Sequence, residues 1–102
     1  MANLITVLSE YQISAEKRED FLKIWPEVKR QLAALGARHI VFYEGADQPG
    51  LFVEQFEVAG MDEYEALKTA RRKEIHPIWG DFHACVPGGK EKVHVWAFVK
   101  ME

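Results

Sequence analysis

The spacing of apolar residues changes along the chain, and each spacing predicts one type of secondary structure. Residues 4–13, 38–44, 51–58 and 93–99 are rich in β-branched and aromatic residues, which favours four strands. After the first and third of these runs, apolar residues recur three or four positions apart, as on one face of a helix. The predicted order is therefore strand, helix, strand, strand, helix, strand.

The first helix follows Ser14, a residue type that often caps helices. Its apolar stripe recurs at steps of four and three, at Phe21, Trp25, Val28, Leu32 and Leu35. Gly36 is expected to end it. Pro26 lies inside the stripe and removes one backbone hydrogen bond, so we expect a kink there rather than two helices.

The second helix is predicted over residues 61–75. Its apolar face is expected to consist of Tyr64, Leu67 and Ile75, with the small residues Ala66 and Ala70. Acidic residues near its start and residues 71–73, Arg-Arg-Lys, near its end match the helix dipole, and these basic residues are expected in solvent. Pro77 should end the helix, and residues 78–83 can form a short further helical piece.

This order predicts an α+β domain spanning residues 1–102. With right-handed crossovers it corresponds to the ferredoxin-like βαββαβ plan, a four-stranded antiparallel sheet in the order 4-1-3-2 with the helices on one face. The loop at residues 45–50 is short and polar, so strands two and three should form a hairpin.

The last strand is apolar on both faces. Because side chains alternate across a strand, Val93, Val95, Ala97 and Val99 point one way while His94, Trp96 and Phe98 point the other. Two helical stretches can cover only one face of the sheet. We therefore expect a homodimer in which two sheets pack face to face, burying at least about 1,500 Å² in total.

Composition and charge narrow the possible partners. The chain has 102 residues, 48% of them hydrophobic, and a net charge of −3, which argues against binding nucleic acid. No run of about 18 apolar residues is present, and the first residues do not resemble a signal peptide, so neither membrane association nor export is expected. A single cysteine agrees with a cytoplasmic location.

Candidate chemistry concentrates in residues 75–83. In a pocket, His76 can act as a general base or bind haem or a metal; alternatively it caps the broken helix end. A metal site is not predicted, because His76, His83, Asp81 and Cys85 match no familiar ligand spacing. Cys85 is expected to be a small buried hydrophobic residue.

Two further groups of residues leave alternatives open. The aromatic residues Phe21, Trp25, Trp79 and Phe82 can line a pocket between helices and sheet or simply form the core. Glu10, Glu54 and His94 interrupt apolar strands, and they lie close together if strands one, three and four are neighbours. They are either a functional cluster with perturbed pKa values or a structural network.

The opening strand at residues 6–11 with its helix, the passage from residues 54–58 to 62–64, and the closing strand at residues 93–99 together resemble the dimeric α+β barrel proteins. Within these, the pattern is similar to the antibiotic-biosynthesis-monooxygenase-like and stress-responsive families. The resemblance implies a two-chain barrel with a pocket for a small aromatic or hydrophobic ligand. For this chain we expect Trp79, Tyr64, Trp25, Phe82 and His83 at the pocket, with His76 as the candidate catalytic base.

The resemblance also has limits. Haem-degrading and quinone-forming members carry an asparagine on the first strand and a tryptophan and histidine on the second helix. Here that strand has Ser9, Glu10 and Gln12, the only asparagine is Asn3, and Leu67 lies near the tryptophan position. No cofactor is expected. Two functions remain open: an oxygenase that needs no cofactor, and a non-catalytic ligand-binding or stress-response barrel.

Overall fold

The structure, a computed structural model, describes residues 4–102, and Asn3 lies outside them. Its strands and α-helices are β1 (Ile5–Gln12), α1 (Arg18–Ala34), β2 (Arg38–Glu44), β3 (Leu51–Val58), α2 (Met61–Arg72), α3 (Pro77–Ala84) and β4 (His94–Val99). Short 3₁₀ turns precede α1, at Ala15–Lys17, and β4, at Gly89–Lys92.

The four strands form one antiparallel sheet in the order β2-β3-β1-β4. This is the predicted order 4-1-3-2 read from the other edge, so the ferredoxin-like fold is confirmed. The register places Ser9 of β1 opposite Glu54 of β3 and opposite Val95 of β4. Because the side chains of directly paired residues point to the same side, these three residues share one face of the sheet.

The core lies between that face and the helices. Alternate residues of the two central strands are buried there, namely Val7, Tyr11, Phe52 and Phe56, and α1 covers them with Phe21, Val28 and Leu32. The aromatic rings pack closely: the ring centroids of Tyr11 and Phe82 are 4.7 Å apart, and those of Phe21 and Phe52 are 4.9 Å apart. Burial of these rings supplies much of the hydrophobic stabilisation.

Helix α1 is continuous through Pro26. Its end is set by Gly36, whose φ of +103° is readily adopted only by a residue without a side chain. In this conformation the N–H of Ala37 donates to the carbonyl of Leu32 at 3.0 Å, which satisfies a free carbonyl of the last turn.

Glu44 fastens the β2–β3 hairpin to the start of α1. Its carboxylate accepts hydrogen bonds from Arg18 Nε and from the backbone N–H of Gly50, each at 3.0 Å. These hydrogen bonds, that from Arg18 above all, lower the pKa of Glu44 to about 2.

Helix α2 ends at Arg72, earlier than the predicted residue 75. Pro77 disfavours a helical conformation at His76, and Glu74 has a φ of +54°, so the chain leaves the helix before it reaches Ile75. Ile75 is therefore 71% exposed, and the prediction that it belongs to the buried face of the helix is wrong.

The other face of the sheet carries six large apolar side chains, and we call it the open face. They are Leu8 of β1, Val41 and Tyr43 of β2, Val53 of β3, and Trp96 and Phe98 of β4. Tyr43 is 51% exposed and Phe98 is 49% exposed. The two-sided character predicted for the last strand is thus present in the structure.

Within residues 4–102, no helix combines the length and the apolar composition needed to cross a membrane.

Candidate functional site

A buried ion pair joins α2 to the centre of the sheet. Both terminal nitrogens of Arg71 donate to the carboxylate of Glu54, each at 2.7 Å. Glu54 is fully buried and Arg71 is only 3% exposed. The hydroxyl of Tyr11 donates to the same carboxylate at 2.5 Å. A bidentate geometry with an additional donor is the arrangement that allows two opposite charges to be buried together.

Aromatic rings enclose this pair. The guanidinium carbon of Arg71 lies 4.7 Å from the ring centroid of Phe82 and 5.0 Å from that of Trp79, so the cation rests against their π-systems. Burial, together with the negative charge of Glu54, raises the pKa of Tyr11 well above its usual value of 10. Tyr11 therefore stays protonated and remains a donor.

Two buried side-chain polar atoms among residues 4–102 have no hydrogen-bond partner within the protein: Ser9 Oγ and Arg71 Nε. Ser9 faces Glu54 across the β1–β3 ladder. An unpaired donor in a buried position is costly, and in native structures it often marks a place where a ligand or water binds.

Arg71 also lines a cavity of about 250 Å³ between α2, α3, the 3₁₀ turn before β4, and β4 itself. The polar side chains that line it are Lys68, Arg71, Arg72, His83, Lys90 and His94. Val93, Val95 and Trp96 supply its apolar part. Strand β4 is an outer strand of the sheet, so the cavity opens at the sheet edge.

His83 is the histidine that α3 brings to this cavity. Its Nδ1 lies 2.7 Å from a carboxylate oxygen of Glu74. Because a carboxylate accepts hydrogen bonds, Nδ1 carries the proton and Nε2 keeps its lone pair. Burial lowers the pKa of His83 below its usual 6.5, although the hydrogen bond to Glu74 opposes this effect. His83 is therefore neutral at pH 7 and can accept a proton.

His76, the candidate base of the sequence analysis, occupies the N-cap position of α3. Its Nδ1 accepts a hydrogen bond from the backbone N–H of Ile78 at 3.1 Å, which is the capping alternative considered above. His76 is not among the residues that line the cavity.

Of the five residues expected at a pocket, His83 lines the cavity and the other four pack elsewhere. Trp79 and Phe82 are buried in the core. Trp25 stacks on Phe42, with ring centroids 3.8 Å apart. The hydroxyl of Tyr64 donates to the carbonyl of Val95 at 3.4 Å.

The residues Glu10, Glu54 and His94 are not brought together. Glu10 and His94 are cross-strand partners of β1 and β4 on the open face, where the imidazole of His94 stacks on Trp96 at 5.8 Å. Glu54 lies on the opposite face under the helices. The register separates them because neighbouring positions of a strand point to opposite faces.

Cys85 is buried, and its thiol donates to the carbonyl of Asp81 at 3.5 Å. Burial raises the pKa of this thiol. Among residues 4–102, no three His, Cys, Asp or Glu side chains converge in the way that a metal ion requires.

The prediction that Arg71 faces solvent is wrong, and the sequence contains a signal that contradicts it. Arg71 lies four residues after Leu67 and seven after Tyr64, which is the spacing of one helix face. Glu54 likewise alternates with Phe52 and Phe56, so it belongs to their face of the strand. Lys68 and Lys90 come to the cavity only through the tertiary arrangement.

No protein-family model matches the chain, and no curated protein matches it in sequence. Several solved structures, however, match the chain in fold. A Bordetella bronchiseptica protein named as an antibiotic biosynthesis monooxygenase is 13% identical with a TM-score of 0.75, covering 98% of this chain and 99% of that one. A mutant of SnoaB, a cofactor-independent oxygenase of Streptomyces nogalater, is 13% identical with a TM-score of 0.74, covering 99% and 96% of the two chains.

A NIPSNAP family protein of Agrobacterium tumefaciens is also similar, at 13% identity and a TM-score of 0.73, covering all of this chain and 90% of that one. Likenesses at this level of identity concern the fold. The chain has the ferredoxin-like fold of the antibiotic-biosynthesis-monooxygenase-like proteins, so the predicted resemblance is confirmed for the fold.

Replacing one member of the buried ion pair should be strongly destabilising. We expect Glu54→Leu or Arg71→Met to lower the free energy of unfolding by about 3 to 5 kcal/mol, because the remaining charge is left unpaired. The double variant should lose less than the sum of the two. Urea unfolding at pH 7 measures this. The matched control is Arg72→Met, which breaks an exposed pair with Glu91 and should cost at most about 1 kcal/mol. Equal losses for Arg71→Met and Arg72→Met would contradict this account.

The imidazole of His83 should titrate below pH 6.5. Glu74→Gln should lower the pKa of His83 further, because the carboxylate both accepts a hydrogen bond from the imidazole and stabilises its protonated form. Following the imidazole resonances of His83 by NMR against pH tests this. Glu57→Gln, which alters the exposed contact with His39, is the control and should leave the His83 pKa unchanged. An upward shift in Glu74→Gln is the contrary result.

Proposed function

We propose that the protein is a homodimeric α+β barrel that binds a small aromatic molecule in the cavity beside β4. The observation that carries this proposal is the cavity itself, where Val93, Val95 and Trp96 lie next to convergent polar residues. A concave surface that combines apolar residues with placed polar groups is typical of small-molecule sites. Its volume of about 250 Å³ suits a ligand of one or two rings.

The dimer is supported by the open face. A monomer that leaves Tyr43, Trp96 and Phe98 between 42% and 51% exposed on one side of its sheet presents a large apolar patch to water. A second sheet packed about 10 Å away covers such a patch. Because a copy of the same chain carries the same apolar surface, an isologous pair is the simplest partner.

A second candidate function, oxygenation without a cofactor, is favoured by the pair of His83 and Glu74. A neutral imidazole oriented by a carboxylate can remove the proton of an acidic phenol or enol, and the resulting electron-rich anion is the species that reacts with O₂. The similarity to SnoaB, whose name describes a cofactor-independent oxygenase, supports this candidate. For this second candidate function, His83 acts as the base, the role that the sequence predicts for His76.

The ligand-binding function predicts saturable binding of 2-naphthol, with a Kd of about 10 to 100 μM. Trp96→Ala should weaken it about tenfold, since Trp96 lines the cavity, whereas Tyr43→Ala, which also alters the open face but lies away from the cavity, should not. Titration calorimetry measures both. If neither 2-naphthol nor 2-naphthoate binds at about 1 mM, the proposal is wrong.

An oxygen electrode in the same solutions tests the second candidate function, oxygenation without a cofactor. His83→Gln should abolish any O₂ uptake that the wild-type protein shows.

The dimer predicts that Phe98→Glu yields monomer or insoluble protein, because a charge would be buried without a partner. The matched control is Ile75→Glu, which places the same charge at an apolar position that is 71% exposed on the loop between α2 and α3. It should remain dimeric. Light scattering coupled to size exclusion distinguishes the two states. A wild-type monomer at micromolar concentration would refute the assembly.

A further inference from the structure

We propose that the ligand of the cavity beside β4 is an organic anion, an aromatic acid whose carboxylate is held by Lys68 and Lys90. This inference rests on the proposed small-molecule function and specifies the class of ligand. Among residues 4–102, the polar lining consists of lysine, arginine and histidine side chains and includes no aspartate or glutamate. Such a lining attracts anions and disfavours cations.

Four lysine and arginine side chains line the cavity, and carboxylates of the protein pair with only two of them. Arg72 donates to Glu91, and the terminal nitrogens of Arg71 are occupied by Glu54. Within the described part of the chain, Lys68 and Lys90 form no ion pair with a carboxylate; the amine of Lys68 lies 5.7 Å from the ring centroid of Tyr64. Their positive charges are therefore available to a bound anion.

Arg71 contributes charge to the wall of the cavity but no donor that a ligand can reach. Its terminal nitrogens donate to Glu54, and its Nε, which has no hydrogen-bond partner, is buried from solvent although the residue lines the cavity. A ligand oxygen can reach only atoms that the cavity exposes. Binding of an anion therefore falls to the two lysines, whose charges favour a negatively charged ligand.

The apolar part of the cavity suits the rest of such a molecule. Val93 and Val95, both packed against the core, line the cavity beneath the helices, and Trp96 borders it from the neighbouring position of β4. An aromatic ring can pack on the two valines while its carboxylate reaches the lysines on α2 and on the turn before β4. Inorganic anions lack the apolar half, so an aromatic acid fits the whole lining better than phosphate does.

Comparing 2-naphthoate with 2-naphthamide tests the inference, since the two molecules share a ring system and differ in charge. Titration calorimetry should give a Kd at least about tenfold lower for the acid. The double variant Lys68→Gln/Lys90→Gln should weaken binding of the acid about tenfold and leave binding of the amide within about twofold. Raising the NaCl concentration should likewise weaken only the acid, because salt screens exposed charges.

The control is Lys23→Gln/Lys29→Gln, which removes the same charge from exposed positions of α1. Equal affinities for the acid and the amide would overturn the anion inference and leave the aromatic pocket standing. Equal weakening of the acid in both double variants would also overturn it, since the effect would then come from net charge. If neither probe binds although 2-naphthol does, the anion inference fails alone, and if 2-naphthol does not bind either, the proposed function fails as well. All four lysines are exposed, so the variants are expected to fold.

Discussion

The charge pair of Glu54 and Arg71 sits where the sheet meets α2, in a layer that otherwise consists of aromatic and aliphatic side chains. Removing two charges from water is costly, and the cost is offset only when every oxygen and most N–H groups find partners. The surrounding structure meets this requirement. Tyr11 on the neighbouring strand supplies a third hydrogen bond, and the rings of Trp79 and Phe82 on α3 cover the guanidinium. One pair thus connects β1, β3, α2 and α3, and it fixes how α2 lies over the sheet.

The same arginine connects this core to the cavity. Because its terminal nitrogens are bound to Glu54, the position of Arg71 does not depend on a ligand, and this part of the cavity wall is in place before anything binds. Binding sites whose polar groups are positioned in advance lose little conformational entropy when a ligand binds. Lys68 lies on the same helix one turn earlier, so the orientation of α2 also determines where this flexible charge can reach.

The sequence allowed the fold to be predicted from strand alternation and helix periodicity, because both signals are local. The order of strands followed from connection rules, and the two-sided last strand was visible from Val93 to Val99. The candidate site was less accessible. Basic residues at a helix end usually face solvent, which is the expectation for residues 71–73, but the spacing of Arg71 from Tyr64 and Leu67 places it on the buried face. The prediction that Glu10, Glu54 and His94 lie close together holds for Glu10 and His94, whereas strand alternation turns Glu54 to the other face. The cavity depends on how α2, α3 and the turn before β4 meet the sheet edge, which no local pattern encodes.

Strand β4 serves two surfaces with alternate residues. Val95 and Ala97 complete the layer beneath the helices, whereas Trp96 and Phe98 belong to the open face, and Trp96 and Val95 also border the cavity. A strand of this kind is intolerant of slippage, because a shift of one residue against β1 would exchange both sets at once. Small aliphatic side chains would then occupy the open face, and the indole and benzyl groups would be forced beneath the helices, where a space shaped for valine and alanine cannot accept them. The alternation of small and large apolar residues in β4 therefore fixes the register in which this strand pairs with β1.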